Sequence, residues 1–200
     1  MRAFITGASG FIGSHLLEEL LKKDYDIRVL IHRRDIQKRK EVEYIRGDIL
    51  DFNLLRNAFE HSDVVFHLAA ALGSSVLQKD EFIRINTIGT ENVLKAAEAA
   101  GVKRVIHISS AGIFGAVQSN EAVSEDYPPV PISLYDQSKL EGENIVRRFF
   151  QKGNDIVLDF LFDLLDAGDI KGGIFFYFFQ CLHWYLSPLS PGFTSPHFNF

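Results

Sequence analysis

The residues best suited to chemistry are Tyr135 and Lys139, held four apart in Tyr135-Asp136-Gln137-Ser138-Lys139. On a helix that spacing brings both side chains to one face. An ammonium beside a phenol favours the phenolate and lowers the phenol's pKa toward working pH. Such a tyrosine can pass a proton to or from a substrate hydroxyl or carbonyl. Ser110, just past the apolar run 104–108, is a candidate to hydrogen-bond the same oxygen. Tyr-x-x-x-Lys is a common spacing, and alone it reads as a helix start with a capping tyrosine and a solvated lysine. A second set lies at the other end of the chain, where Gly7-x-x-Gly10-x-x-Gly13 joins a short apolar run to the apolar-periodic segment 14–21. Glycines at a strand-to-helix turn let a phosphate approach the main chain, and the helix start favours its negative charge. The spacing differs from the usual G-x-G-x-x-G of dinucleotide turns, but the placement after a strand and before a helix is the same.

These residues need elements to position them. Apolar, β-branched runs predict strands over 26–32, 42–45, 64–68, 104–108 and 155–158, following the first at 2–6. Helical spacing marks 51–59, with Asp51 as N-cap, then a long helix over 79–100 closed by Gly101, and another over 135–151. Residues 111–133, with Pro128, Pro129 and Pro131, read as loop. Strands alternate with helices and most are apolar throughout, which predicts an α/β fold: a doubly wound parallel sheet with helices on both faces. A ligand then lies beyond the carboxyl ends of the strands. Those ends carry residues 7–13, 32–34, 48, 68–71 and 109–110, so separate segments converge on one rim.

Two hundred residues suffice for one domain with an appendage. A formal net charge of −5 gives no reason to expect nucleic acid. The single cysteine, Cys181, excludes an internal disulfide and fits a reducing compartment, so a cytoplasmic location is expected. Met1-Arg2 leads directly into the first strand, so no signal peptide is expected, and no run reaches the roughly 20 apolar residues of a membrane span.

Taken in order, TGASGFIGSHL, GDILD, HLAA, INTIGTENVLKAA, VKRVIHISSAGIFG and YDQSK resemble the extended short-chain dehydrogenase/reductase family, the NAD(P)-dependent epimerase/dehydratase group. The resemblance covers residues 1–158 and implies a Rossmann-like NAD(P)-binding domain over that range. It implies that Gly7, Ser9, Gly10, Phe11, Ile12 and Gly13 hold the pyrophosphate. Asp48 and Ile49 would meet the adenine, and Leu68, Ala69 and Ala70 the nicotinamide-side ribose and phosphates. Asn86 stands where the family keeps an asparagine near the cofactor. Ser110, Tyr135 and Lys139 match the catalytic triad: Tyr135 as acid/base, Lys139 on the ribose hydroxyls, Ser110 polarising the substrate oxygen. Relatives often pair through helices like 80–100 and 135–151, which implies a possible homodimer. No metal site is expected.

At the end of the second strand an acidic residue would select NAD. This chain has His32-Arg33-Arg34, with Arg33 twenty residues beyond Gly13. A guanidinium suits a 2′-phosphate, so the expectation leans to NADP, with NAD the alternative. Ser110-Ala111-Gly112 replaces the Thr-Asp-Glu of the family's 4,6-dehydratases and argues against dehydration by that route. The expected function is oxidoreduction or epimerisation at a hydroxyl or carbonyl of a small molecule, either a sugar nucleotide or a sterol- or flavonoid-like compound.

Beyond residue 158 the family's Arg-Pro continuation is missing, and residues 172–200 contain no Asp, Glu, Lys or Arg. Residues 159–200 therefore read as an atypical hydrophobic tail in place of a C-terminal substrate domain that is missing or degenerate. The tail could be an interaction or membrane-surface segment, or a cover for the sheet edge. A damaged or truncated reading frame is the explanation favoured. The alternative function is a non-catalytic NAD(P)-binding module or inactive fragment.

Overall fold

The computed structural model describes residues 1–34, 36–72, 79–116, 127–151 and 157–163. In chain order the elements are β1 (Arg2–Thr6), α1 (Phe11–Lys22), β2 (Asp26–Ile31), β3 (Val42–Arg46), α2 (Phe52–Ala58) and β4 (Val64–His67). A helix in three parts follows: α3 (Lys79–Ile83), a π-helical turn (Arg84–Ile88) and α4 (Gly89–Ala99). Then come β5 (Arg104–Ser110), a single 3-10 turn (Ala111–Phe114), α5 (Leu134–Gln151) and β6 (Val157–Asp163). The strands are all parallel, in the order β3-β2-β1-β4-β5-β6. That is the Rossmann-like doubly wound sheet, with its switch point between β1 and β4.

Side chains of a strand alternate between faces, and both faces are covered. Ala3 and Ile5 of β1, with Val64 and Phe66 of β4 and Ile106 and Ile108 of β5, pack against Leu16, Leu17 and Leu20 of α1. Phe4, Val65 and Val105 point the other way, onto Leu55 of α2, Val93, Leu94 and Ala97 of α4, and Val146 of α5. Local signals set the helix starts. Asp51 accepts the Leu54 N–H at 3.0 Å, as an N-cap does. Ser133 and Asp136 cap each other's main chain at 3.1 and 2.9 Å, the reciprocal capping box that opens α5.

Two elements differ from the sequence expectation. The helix over 79–100 is interrupted by the π-helical turn. There the hydroxyls of Thr87 and Thr90 bond back to the carbonyls of Ile83 and Asn86. Such back-bonding competes with the helical ladder and helps accommodate an inserted residue. The last strand extends through Asp163, pairing with β5 from Arg104 to Ser110, whereas the sequence ended it at Leu158. Asp159 breaks the apolar run, but the ladder is made by main-chain groups and tolerates it. The sheet thus continues past the boundary expected at 158. Asp35, Asp155, Ile156 and the tail from 164 to 200, with Cys181, His183 and Trp184, lie outside the described residues.

Candidate active site

A cleft of about 1170 Å³ opens at the carboxyl ends of the strands, running from His32, Arg33, Arg34 and Asp48 to Tyr135 and Lys139. One wall is the glycine turn, where Gly7, Ser9, Gly10, Phe11, Ile12 and Gly13 all border the cleft. The turn is closed by Gly10 N–H donating to Gly7 O at 3.0 Å. Gly7 adopts φ +78°, and a Cβ there would stand 2.6 Å from Ala69 N. A Cβ on Gly13 would stand 2.2 Å from Gly7 O. The turn therefore packs main chain on main chain, and no side chain fits between it and β4. The N-cap of α1 is Gly10, which brings no side chain over the helix start, and helix starts favour anions. Such a cradle fits a dinucleotide diphosphate.

At the far end, Arg33 and Arg34 are exposed at the mouth and Ile49 and Asp48 line the wall. Asp48 accepts the Leu50 N–H at 3.0 Å and lies 3.4 Å from His32 Nε2. Leu68, Ala69 and Ala70, following β4, border the middle.

At the near end, α5 carries Tyr135, Lys139, Glu143 and Arg147 at successive four-residue steps. Tyr135 and Lys139 reach the cleft. Lys139 is 5% exposed, and its ammonium donates to Ile108 O of β5. Glu143 is buried; one carboxylate oxygen accepts from the Ser109 hydroxyl at 2.6 Å, and the other accepts from Arg147 at 2.7 and 2.9 Å. Ser109 borders the cleft with its hydroxyl already committed. Ser110 is buried just behind the lining, and its Oγ accepts from Gly112 N–H at 3.2 Å.

Asn86 does not open onto the cleft. Its Oδ1 accepts from Ala71 N–H at 2.7 Å, and its Nδ2 donates to Ala71 O at 3.2 Å and to Ser138 Oγ at 2.8 Å. It ties the π-helical turn to the segment after β4 and to α5. Sequence reasoning passed over two further residues. Glu143 continues the Tyr135–Lys139 row by one more turn, and that period was a usable signal. His67, the last residue of β4, is buried against His107 with ring centroids 5.3 Å apart. Burial, and secondarily the Lys139 charge, pushes the His67 ring down to about 3. The same two causes, followed by His67 itself, hold His107 well below the usual histidine range. Both shifts favour the neutral imidazole.

A sequence model described as the NAD dependent epimerase/dehydratase family matches residues 3–165. The chain belongs to this family. Among curated members, a putative dihydroflavonol 4-reductase of Synechocystis is 31% identical over 161 residues, covering 78% of this chain and 47% of that protein. The UDP-glucose 4-epimerase of Bacillus subtilis is 31% identical over 169 residues, covering 78% and 50%. Among solved structures, MoeE5 in complex with UDP-glucuronic acid and NAD superposes with a TM-score of 0.72 at 33% identity, covering 80% of this chain and 53% of that one. The chain thus spans about half the length of the family members it matches. Among the described residues no helix is long and apolar enough to cross a membrane, and no cluster of three or more His, Cys, Asp or Glu could hold a metal.

Proposed function

We propose that this epimerase/dehydratase-family chain binds NADP, or NAD as second choice, and acts on a hydroxyl or carbonyl of a small molecule with Tyr135 as acid/base. One observation carries the reading: Tyr135 and Lys139 border the same cleft as the glycine turn. When bound, the nicotinamide supplies the hydride exchange. Gly7, Gly10 and Gly13 and the start of α1 cradle the diphosphate with main-chain N–H groups. Asp48 and Ile49 meet the adenine. Arg33 and Arg34 at the end of β2 favour a 2′-phosphate. The ammonium of Lys139, anchored on Ile108 O, faces the ribose hydroxyls and stabilises a phenolate on Tyr135. The Ser110 hydroxyl, which accepts from Gly112 N–H, keeps a proton that it can donate to the substrate oxygen once turned toward the cleft.

Calorimetric titration with NADPH and NADH tests the cofactor assignment. NADPH should bind the tighter, and Arg33→Ser with Arg34→Ser should remove that preference; tighter binding of NADH by the unmodified chain would assign the site to NAD, and equal affinities would remove the preference for NADP. Nicotinamide absorbance followed across a panel of sugar nucleotides and apolar ketones tests the chemistry. There Tyr135→Phe should cost about 10²–10⁴-fold in rate, the usual worth of a positioned acid/base. Undiminished turnover in that variant removes Tyr135 from the mechanism. The span of about half of its relatives favours a second reading, a module that binds the nucleotide without turnover. Tight binding with no turnover on any panel member would select it.

A further inference from the structure

His67 occupies an unusual place for a histidine, buried and bonded at both ring nitrogens. Its Nδ1 lies 2.9 Å from Thr6 Oγ1 and its Nε2 lies 3.0 Å from Thr90 Oγ1. The Thr90 hydroxyl donates its single proton to Asn86 O at 2.8 Å, so toward His67 it can only accept. The ring proton therefore sits on Nε2, and Nδ1 accepts from the Thr6 hydroxyl. Thr6 in turn accepts from Ala69 N–H at 3.3 Å. Beyond Thr90 the route crosses the covalent frame of Asn86, from its main-chain carbonyl to its side-chain amide. The Asn86 amide donates to Ser138 Oγ at 2.8 Å, and Ser138 donates to Tyr135 O at 2.7 Å. The route begins at Ala69, on the cleft wall, passes beside Gly7 through Thr6, and ends on the main chain of Tyr135.

Only one state of the ring serves this route. An imidazolium would leave the Thr6 proton without an acceptor and add a second cation below Lys139. The other tautomer would turn a lone pair toward Thr90, whose proton is held by Asn86. The groups that face the ring are Thr6 from β1, His107 from β5, Thr90 from α4 and the ammonium of Lys139 from α5. Among the described residues that face it, none is an anion that would favour a charged ring.

We propose that His67 is a positioning residue, locked as the Nε2–H tautomer, that couples the glycine turn to the helix of Tyr135 and Lys139 and so sets the spacing of the two ends of the cleft. This rests on the reading of the cleft as a dinucleotide site. Neither His67 nor Thr90 borders the cleft, so an effect of either on binding is transmitted through the chain of bonds.

The test uses the full chain, Thr90→Val and His67→Asn. Asparagine can reach Thr6 but is too short for Thr90; valine keeps the shape of threonine and removes its hydroxyl. Three readouts are taken: NADPH and NAD affinity by calorimetry well below the melting temperature, the melting temperature itself, and the nitrogen-15 spectrum of the histidine rings from pH 5 to 8. The unmodified ring should be protonated on Nε2 alone and should not titrate over that range. Each variant should weaken NADPH binding about tenfold, the worth of one buried hydrogen bond, and Thr90→Val should let the ring populate both tautomers. A ring protonated on Nδ1, or one titrating near its ordinary value, overturns the lock. Variants that melt earlier yet bind NADPH as tightly as the unmodified chain overturn the coupling and leave His67 a packing residue. An unmodified chain that binds neither nucleotide overturns the reading of the cleft, and the coupling with it.

Discussion

The two faces of the sheet are built from different materials. On the α1 face, strand and helix meet through hydrocarbon along the full length of the strands, from Ala3 and Val64 up to Ile108. On the opposite face the lower rows are also hydrocarbon, with Phe4, Leu55, Val93 and Leu94. The upper rows change character. Thr6, His67 and His107 stand side by side across β1, β4 and β5, with Ser109 one step higher. Thr90, Asn86, Lys139 and Glu143 meet them from the helices, all buried. Apolar contacts are non-directional and tolerate small shifts. Buried polar groups must keep their partners or lose heavily. One face therefore mainly supplies stability, while the upper part of the other supplies position, and it lies directly beneath the cleft.

Phe66→Ala on the α1 face should produce the largest loss, about 3–5 kcal/mol of folding stability for an aromatic removed from a packed core. Its NADPH affinity at a temperature where the variant is folded should match that of the unmodified chain. Denaturant titration and calorimetry read the two quantities; an affinity that falls in step with stability would erase the distinction between the faces.

Acid should act on the other face. His67, at about 3, and His107, also depressed, are neutral when folded and regain an ordinary pKa near 6.5 on unfolding. Above that value the rings cost nothing. As pH falls below it, the unfolded chain takes up protons that the folded chain refuses, and His67 alone lowers stability by about 1.4 kcal/mol per pH unit, with His107 acting in the same direction. By pH 5 the loss from His67 is about 2 kcal/mol, and His107 adds to it. Denaturation curves from pH 7 to pH 5 check this, and His67→Asn should reduce the slope by one proton.

Most of the architecture was legible because it follows from main-chain geometry and from apolar runs. Strands such as 64–67 are buried on both faces, so their sequence is hydrocarbon for most of its length. The glycine turn was legible because Gly7 and Gly13 leave no room for a Cβ, and Tyr135 and Lys139 because a helix repeats its face every four residues. Asn86 was legible as a residue of this neighbourhood, but its partners were not. Its amide is used by Ala71, fifteen residues earlier, and by Ser138, fifty-two residues later, contacts that no local pattern announces. The π-helical turn was hidden for the same reason, since one inserted residue barely disturbs the apolar period of 79–100. His67 read as the end of an apolar strand, because its partners come from β1 and α4.

Two smaller substitutions sharpen the contrast within the polar-bearing face. Ser109→Ala takes the hydroxyl from Glu143 and leaves a buried carboxylate oxygen without its donor, which should cost about 1–3 kcal/mol. Because Ser109 borders the cleft beside Ser110, NADPH affinity or turnover should shift as well. Asp51→Ala is the counterpart, a polar residue on the same side of the sheet but at the start of α2, outside the bonded rows. It caps Leu54 N–H at 3.0 Å from an exposed position. Losing that cap should cost about 1 kcal/mol and leave both affinity and turnover untouched. If Asp51→Ala disturbs binding as much as Ser109→Ala does, the polar rows beneath the cleft have no special hold on its geometry, and any loss of stability on that face would serve as well. If only Ser109→Ala disturbs it, position on the face is set by membership in the hydrogen-bonded rows and not by polarity or burial in general.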